Sequence, residues 1–212
     1  HAEIYVTESS DRAFEEEVML SGFANAQVKA EGQGVSFDTA QETYSARYTH
    51  DTVALAFAIT EEAIEDNLYD RLASRYTKAL ARSMSNAKQV KAAKPLNDGL
   101  PSTDNFDSGD AVSLFSTNHA TVSGTAVKNT LTTQADLNET SLEQALVDIA
   151  GMTDERGLRV AARAMKMIVP SANQFTAERL MKSQGRTGTA DNDINAVVSM
   201  GMVPQGYRVN NF

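Results

Sequence analysis

The chain has 212 residues and no cysteine, carries 22% charged residues, and has a formal net charge of −9 at pH 7. This length allows one large domain or two small ones with a buried core, and the lack of cysteine excludes disulfides and cysteine-based metal sites. The negative charge argues against wrapping around nucleic acid, because phosphate binding needs clustered Lys and Arg. The longest strongly apolar run, Val53–Ile59, is far shorter than a transmembrane helix of roughly 20 residues.

The first 50 residues predict a short helix and then a β-hairpin. Phe14 and Val18 stand four apart, which fits one face of a short helix. Val28–Phe37 and Tyr44–Tyr48 alternate between apolar and polar residues, and two glycines lie within the first segment. This pattern predicts a hairpin with a glycine-bearing turn between about residues 22 and 50. Because a lone hairpin is marginal in water, we expect it to be held by a partner.

A strand and a long helix are predicted next. Val53–Ile59 alternates large residues with small ones, which is typical of a strand with one face in the core. Thr60 then caps a helix from Glu61 to about Ala87, ahead of a stop at Pro95. All of its acidic residues lie among its first ten residues, and all of its basic residues follow them. This charge order complements the helix dipole. The helix would be about 40 Å long. Its apolar row at four-residue spacing consists of Ile64, Leu68, Leu72, Tyr76, Leu80 and Met84.

A polar region and a second helix come after the long helix. Residues 97–133 are rich in Ser, Thr, Asn, Asp and Gly, and loops of this length are uncommon in compact domains. The segment 138–151 has the apolar spacing of a helix. A capping box of Ser141 with Gln144, or of Thr140 with Glu143, is predicted at its start, and Gly151 is predicted to cap its end.

The last third predicts a small α/β or α+β unit. Its elements are the helix over 138–151, a strand over Met165–Val169, a helix directly after it, a short helix over Ile194–Val198 and a strand from Tyr207. Ser171 and Gln174 form another predicted capping box, and Pro170 is expected to pack against Phe175. Gly201 is predicted to close the short helix. Because the chain starts at His1 and stops within a strand-like segment, we expect residues beyond both ends.

The junction at Pro170 and Ser171 lies where catalytic residues or phosphate-binding loops often occur. Pro170 lacks an amide hydrogen, however, and the Ser171 hydroxyl is needed for the cap. The phosphate-loop pattern and the nucleophile elbow GxSxG are both absent. We therefore interpret the junction as a helix cap, and we predict no catalytic, cofactor-binding or metal-binding residue in the chain.

Other polar residues are also given structural interpretations. His1, His50 and His119 are scattered without the spacing of a metal site, so each is interpreted as a surface or hairpin residue. Asp191 and Asp193 could suggest calcium, but the glycine and glutamate of an EF-hand loop are missing, so helix capping by either residue is favoured.

Three further features have a structural and a functional interpretation. Arg186 could bind a phosphate, but one arginine in a polar loop favours an exposed loop. Asn138-Glu-Thr140 matches a glycosylation sequon as well as a helix start. Glycosylation would require a secreted protein, whereas a helix start would not, so the helix start is favoured. The methionines of the last third are interpreted as core residues rather than a binding surface. They are Met165, Met167, Met181, Met200 and Met202.

Several passages together resemble one protein family. In order they are the glycine-bearing hairpin, Phe57–Glu62 before the long helix, Leu114–His119, Ala135–Ala145, Met167–Pro170, Asn192–Asn195 and Met200–Pro204. From about residue 14 onward their order and spacing resemble major capsid proteins of tailed bacteriophages, which have the Hong Kong ninety-seven-type capsid fold. No one passage is diagnostic by itself.

The resemblance implies an α+β fold with five regions. These are an N-terminal arm remnant (1–21), an extended β-hairpin loop (22–52), a peripheral-domain strand and spine helix (53–95), a polar loop region (96–135) and an axial domain (136–212). Loops at about 184–193 would approach the capsomer centre. Some relatives cross-link a lysine of the extended loop to a neighbour's asparagine. Lys29 lies in the matching region, but no partner asparagine or activating carboxylate can be located, so this chemistry is not predicted.

The resemblance also implies a non-enzymatic shell protein of the virion. Copies would assemble in the host cytoplasm into hexamers and pentamers of an icosahedral head around double-stranded DNA, without sequence-specific binding, cofactor or membrane. Scaffolding, portal and cement proteins are the candidate partners. One alternative is another phage structural protein, a tail-tube or decoration protein, which would be mainly β and lack a helix of about 27 residues. A second is a hydrolase or transferase with its site at 165–180, which requires a pocket with a perturbed titratable group.

Overall fold

The computed structural model describes residues 4–66, 69–101, 107–186 and 193–212, without the side chains of residues 69–72. Within these ranges helices are mixed with short strands, which is compatible with the predicted α+β class. In chain order the elements are β1 (Phe14–Leu20), β2 (Glu42–Thr49), α1 (Glu61–Glu65), α2 (Tyr69–Asn97), α3 (Glu139–Ala150), β3 (Met167–Pro170), a 3₁₀ turn (Ser171–Asn173), α4 (Gln174–Lys182), α5 (Ala196–Ser199) and β4 (Tyr207–Asn210). β1 pairs with β2 and β3 pairs with β4, which gives two small sheets.

The first sheet and its connecting loop form a segment that we call the arm, residues 14–49. β1 and β2 are antiparallel, with Phe14 opposite Thr49 and Val18 opposite Ser45. The predicted helix at Phe14 and Val18 is therefore wrong. A spacing of four fits a helical turn, but four is also a multiple of the two-residue period of a strand, so both residues share one strand face. On that face Arg47 pairs with Glu16 at 3.2 Å and lies 4.5 Å from the centre of the Phe14 ring.

In the loop of the arm, residues 21–41, the structure contradicts one part of the hairpin prediction. Residues 28–37 form no strand, and the partner of β2 is β1 instead. The glycine-bearing turn is present at the tip of the loop, where Gly32 has a φ of 78°. This left-handed conformation favours glycine, because a Cβ atom would crowd the backbone there. The segment lacks a strand because no described chain segment lies beside it to accept its backbone hydrogen bonds.

Residues 53–59 do not form the strand that their alternation predicts. Instead the segment runs antiparallel along α2. The Asp51 carboxylate pairs with the Lys91 ammonium, and the Phe57 and Tyr76 rings lie 5.9 Å apart. The two contact residues are six positions apart in the segment. Their partners are fifteen positions apart in the helix, a distance of about 22 Å at 1.5 Å per residue. Such a span requires nearly full extension, so the segment has the extended shape of a strand without a backbone partner among the described residues.

The predicted long helix is present as two helices. α1 starts at its predicted cap, where the Thr60 hydroxyl accepts a hydrogen bond from the Ala63 N–H at 3.4 Å. It ends at Asp66, and α2 then continues to Asn97. The helix therefore ends about ten residues after the predicted end near Ala87, and Pro95 lies inside its last turn, so the prediction of Pro95 as a stop is wrong. Leu68 lies outside the described residues and the Leu72 side chain is not described, so the predicted apolar row is traced only in part.

The polar region agrees with its prediction of a long loop. Between Asp98 and Leu137 no helix or strand of two or more residues is found among the described residues. The loop is ordered by its own amide side chains instead. The Asn129 side chain accepts from the Ser116 N–H at 2.9 Å and donates to the Leu114 carbonyl at 2.7 Å.

The C-terminal unit contains the hydrophobic core and follows the predicted order of helix, strand, helix, helix and strand. β3 and β4 are parallel, with Met167 beside Tyr207 and Pro170 beside Asn210. Buried apolar side chains of α3, α4, α5 and the segment after α5 form one cluster: Leu142, Leu146, Leu180, Val197 and Val203. Three of the five methionines predicted as core, Met167, Met181 and Met202, pack against this cluster, whereas Met165 and Met200 are exposed.

Two of the predicted helix caps are wrong in detail. α3 is capped by Asn138, whose side chain accepts from the Ser141 N–H at 2.8 Å, while Ser141 Oγ accepts from the Asn138 N–H at 3.0 Å. Neither predicted pair forms this box, because the helix starts earlier and places Ser141 at the third position. The predicted end at Gly151 is confirmed.

No side chain caps the start of the turn at Ser171, and Pro170 and Phe175 are both exposed, which does not fit the predicted packing between them.

Asn195 caps α5 and connects it to α4. Its side chain accepts from the Val198 N–H at 3.3 Å and donates to the Leu180 carbonyl at 2.8 Å, and the residue is only 3% exposed. The predicted cap at Asp191 lies outside the described residues, and the alternative at Asp193 is wrong. Gly201 closes the helix in the left-handed region, as predicted.

We expect Asn195→Ala to lower the free energy of unfolding by about 2 kcal/mol, since it removes a cap and leaves the buried Leu180 carbonyl unpaired. Asn138→Ala is the matched control, because it removes a cap at an exposed position and should cost about 1 kcal/mol. Urea unfolding followed by circular dichroism measures both. Equal losses in the two variants would show that the buried hydrogen bond contributes nothing beyond capping.

Candidate assembly surfaces

The Ser171 junction does not form a hydrolase site among the described residues. Ser171 is exposed, and no hydrogen bond joins its hydroxyl to a His, Asp or Glu side chain there. A serine nucleophile needs such a base within hydrogen-bond reach. In the described ranges no group of three or more His, Asp or Glu side chains is placed to hold a metal ion. None of the helices in those ranges is long and apolar enough to cross a membrane.

The other residues that were considered for a functional role have surface positions or structural contacts. His1 lies outside the described residues, and His50 is exposed at the end of β2. Arg186 is exposed, as predicted, but its side chain and backbone are both hydrogen-bonded. Its Nε donates to Glu139 Oε2 at 2.8 Å and its N–H donates to the Asp193 carbonyl at 2.8 Å, so it connects the loop to the first turn of α3.

His119 is not the surface residue that was predicted, because it forms a largely buried hydrogen-bonded pair with Asp110. Its Nδ1 lies 2.7 Å from Asp110 Oδ2. Burial by itself would raise the pKa of Asp110, but hydrogen bonds from Ser108, His119 and the Val112 N–H offset it, so the pKa lies below its usual value. A Cβ atom at Gly109 would lie 2.5 Å from the Tyr44 ring, so only glycine allows the loop this close to β2. The polar loop is thereby held against the arm.

A second contact, which we call the clasp, holds the base of the arm loop to the C-terminal unit. Arg156 donates to the Gly22 carbonyl at 3.2 Å and to the Thr39 carbonyl at 2.7 Å, so one side chain binds both ends of the loop. Asp38 lies 4.0 Å from the same guanidinium, and it accepts from the N–H groups of Ala24 at 2.7 Å and Thr39 at 2.9 Å. These two N–H groups lower the pKa of Asp38. A lone arginine gave no sign of this role in the sequence, because its partners are backbone carbonyls more than a hundred residues away.

We expect Arg156→Ala to raise the hydrogen-exchange rate at the base of the loop, residues 22–24 and 38–41, by roughly tenfold. Losing two charge-assisted hydrogen bonds favours local opening by about 1.4 kcal/mol. Arg159→Ala is the control, since Arg159 is exposed and makes no side-chain contact among the described residues. Exchange followed by mass spectrometry measures the effect. An unchanged rate in Arg156→Ala would show that the clasp does not hold the loop.

Beyond the clasp, the arm presents apolar side chains to solvent. Val28 is 100% exposed and Phe37 is 97% exposed, and Phe23 and Val35 are also exposed. Exposed apolar clusters of this kind mark interaction surfaces in soluble proteins. The whole chain exposes 15969 Å², whereas a compact monomer of 22.9 kDa exposes about 9,600 Å². The fold therefore leaves a large area for other chains to cover.

The part of the chain that the structure describes thus combines an arm with exposed apolar side chains, a long helix and a C-terminal unit with the hydrophobic core. The sequence model of a family described as "Phage capsid protein" matches residues 43–211, which run from β2 to the end of β4. The chain belongs to this phage capsid protein family, and it is a component of the virion. The family is structural rather than enzymatic, which is consistent with a chain in which no catalytic residue was predicted. No curated protein and no solved structure matches the chain.

Proposed function

We propose that the chain is the major capsid protein of a tailed double-stranded DNA bacteriophage, with the Hong Kong ninety-seven-type fold. Copies assemble into hexamers and pentamers of an icosahedral head. The observation that carries the proposal is the exposed area of 15969 Å², which is about 1.7 times that of a compact monomer and includes the apolar side chains of the arm. The 29-residue α2 also argues against a mainly β tail-tube or decoration protein.

The five regions follow from this proposal. Residues 1–21 are the N-terminal region, whose β1 is one strand of the hairpin, and residues 22–52 are the extended loop that lies across an adjacent subunit. Residues 53–95 are the extended segment and spine helix of the peripheral domain, residues 96–135 are the polar loop region, and residues 136–212 are the axial domain. Burial supports the last assignment, because every member of the hydrophobic cluster lies between residues 142 and 203. The loop near 184–193 approaches the capsomer centre, and residues 187–192 of it lie outside the described residues.

The partners in this proposal are other copies first, then scaffolding, portal and cement proteins. The shell forms in the host cytoplasm and encloses DNA without sequence-specific contacts. A net charge of −9 supports a coat that surrounds DNA without adsorbing it, because like charges disfavour contacts that release counterions.

Electron microscopy of the purified protein, expressed with its scaffolding partner where that is needed, tests the proposal. We expect closed shells tens of nanometres across with hexameric and pentameric units, because neighbouring chains would cover the exposed apolar side chains of the arm. Compact monomers that persist under assembly conditions, with no shells at any concentration, would contradict it.

A further inference from the structure

A tight turn shortly after α3 carries two neighbouring side chains that hold two distant segments of the chain. We call it the junction turn, residues 154–157. Its conformation is fixed locally, because Asp154 Oδ1 accepts a hydrogen bond from the Arg156 N–H at 2.9 Å. Gly157 lies in the left-handed region, with a φ of 82°. The turn therefore presents Glu155 and Arg156 in a defined conformation.

Glu155 of the junction turn holds the polar loop. Its Oε2 accepts from the Val122 N–H at 3.2 Å, and its carbonyl oxygen accepts from the Ser123 N–H at 3.2 Å. The polar loop bends at this point, because the Gly124 N–H donates to the Thr121 carbonyl at 3.0 Å. The side chain and the backbone of one residue thus bind the same bend of the polar loop.

Arg156, the next residue of the junction turn, holds the arm. Its guanidinium forms the clasp with the carbonyls of Gly22 and Thr39. The Arg156 side chain is only 16% exposed, so these charge-assisted hydrogen bonds are largely shielded from water. Two consecutive residues are therefore joined to two segments that are far apart in the sequence.

A third contact joins the polar loop directly to the arm. Gly109 packs against the Tyr44 ring of β2, and the Asp110–His119 pair holds the polar loop in this position. Burial raises the pKa of Tyr44, and the carboxylates of Asp110 and Glu155 raise it further, so both carboxylates lie near this ring. The arm, the polar loop and the junction turn are thus each in contact with the other two.

We propose that these three contacts act as one cooperative unit that fixes the direction of the arm, and that the junction turn couples the arm to the polar loop. Three segments that are joined in pairs hold one another in place, whereas two contacts alone would leave a hinge. Loss of one contact should therefore weaken the other two, as is found for residues of one network. The proposal concerns the single chain, so it does not depend on whether copies form a shell.

Hydrogen exchange of the unassembled chain, followed by mass spectrometry, tests the proposal. Glu155→Ala should raise the exchange rate about tenfold at residues 122–124, where a hydrogen bond is lost. It should also raise the rate about threefold at the base of the arm loop, residues 22–24 and 38–41, whose hydrogen bonds do not involve Glu155. Arg156→Ala should have the converse effect, with a rise of about threefold at residues 122–124. The combined variant should exchange more slowly than the product of the two single effects requires.

Glu155→Gln tests whether the hydrogen bond is the cause. The glutamine carbonyl oxygen can still accept from the Val122 N–H, so exchange at both segments should return to within about twofold of the original chain. A Glu155→Gln variant that exchanges as fast as Glu155→Ala would contradict a role for this hydrogen bond in coupling the segments.

Lys128→Ala is the matched control, because Lys128 also holds the polar loop but lies outside the three contacts. Its ammonium donates to Asp148 Oδ2 of α3 at 3.0 Å. The substitution should raise the exchange rate at residues 128–132 and leave the base of the arm loop unchanged. An equal rise at the arm in this control would overturn the proposal. So would an unchanged arm in Glu155→Ala, strictly multiplicative effects in the combined variant, or a uniform rise across α3 and α4.

Discussion

Leu146→Ala should lower the free energy of unfolding of the chain by about 3 kcal/mol and its Tm by about 10 °C. Leu146 is 7% exposed and lies in the cluster that joins α3, α4 and α5. Truncating it removes apolar contacts and leaves a cavity that the surrounding helices fill only in part. The loss is large because this cluster supplies five of the eight buried apolar residues in the part of the chain that the structure describes. Thermal unfolding of the unassembled protein measures it.

Val147→Ala is the control for this prediction, because it truncates the next residue of the same helix. Val147 is 66% exposed, so its loss should change the free energy of unfolding by less than about 0.5 kcal/mol in the unassembled chain. A similar destabilisation by both substitutions would mean that helix α3 packs in a different orientation from the one described.

Phe37→Ser should abolish or strongly weaken shell assembly while leaving the unassembled chain as stable as before. The Phe37 ring is almost fully exposed in the single chain, so replacing it removes no internal contact. If the ring is covered by a neighbour in the shell, its loss costs roughly 2 kcal/mol of burial at each contact. That cost recurs at every copy, which is why assembly should respond far more than folding does. Sedimentation velocity measures the fraction of assembled chains, and thermal unfolding measures the stability of the free chain.

Gln27→Ser is the control for the arm, since it alters an exposed polar residue of the same loop without removing apolar area. It should assemble normally. Normal assembly of Phe37→Ser would contradict a covered arm, and a marked fall in its Tm would contradict the exposed position of this ring.

Short-range chemistry made several parts of the fold predictable. Thr60 was identified as a cap because its hydroxyl precedes a helical pattern, and Gly151 and Gly201 were identified as helix ends. The order of elements after residue 138 also followed from periodicity, since a helix of this length repeats its apolar positions clearly. Such signals depend on residues within a few positions of one another, so the sequence contains them directly.

The features that the sequence did not reveal depend on contacts between residues that only the folded chain brings together. The spacing of Phe14 and Val18 fits two periodicities, and only pairing with β2 selected the strand. Residues 53–59 alternate as a strand does, yet they lie on α2 because no strand was beside them. Neither Arg156 nor the Asp110–His119 pair could be recognised, because their partners are brought together only by folding.

By itself, the sequence determined the mixture of helix and strand, the long polar loop and the C-terminal unit, and its resemblance to phage capsid proteins agrees with the family match over residues 43–211. The tertiary structure decided where the core lies, how Arg156 holds the arm loop, and which side chains remain uncovered. The physical reason is that hydrogen bonds and apolar periodicity act over a few neighbouring residues, whereas burial depends on which distant segments meet. Few of the described segments meet around the arm, so its apolar side chains are exposed in the single chain.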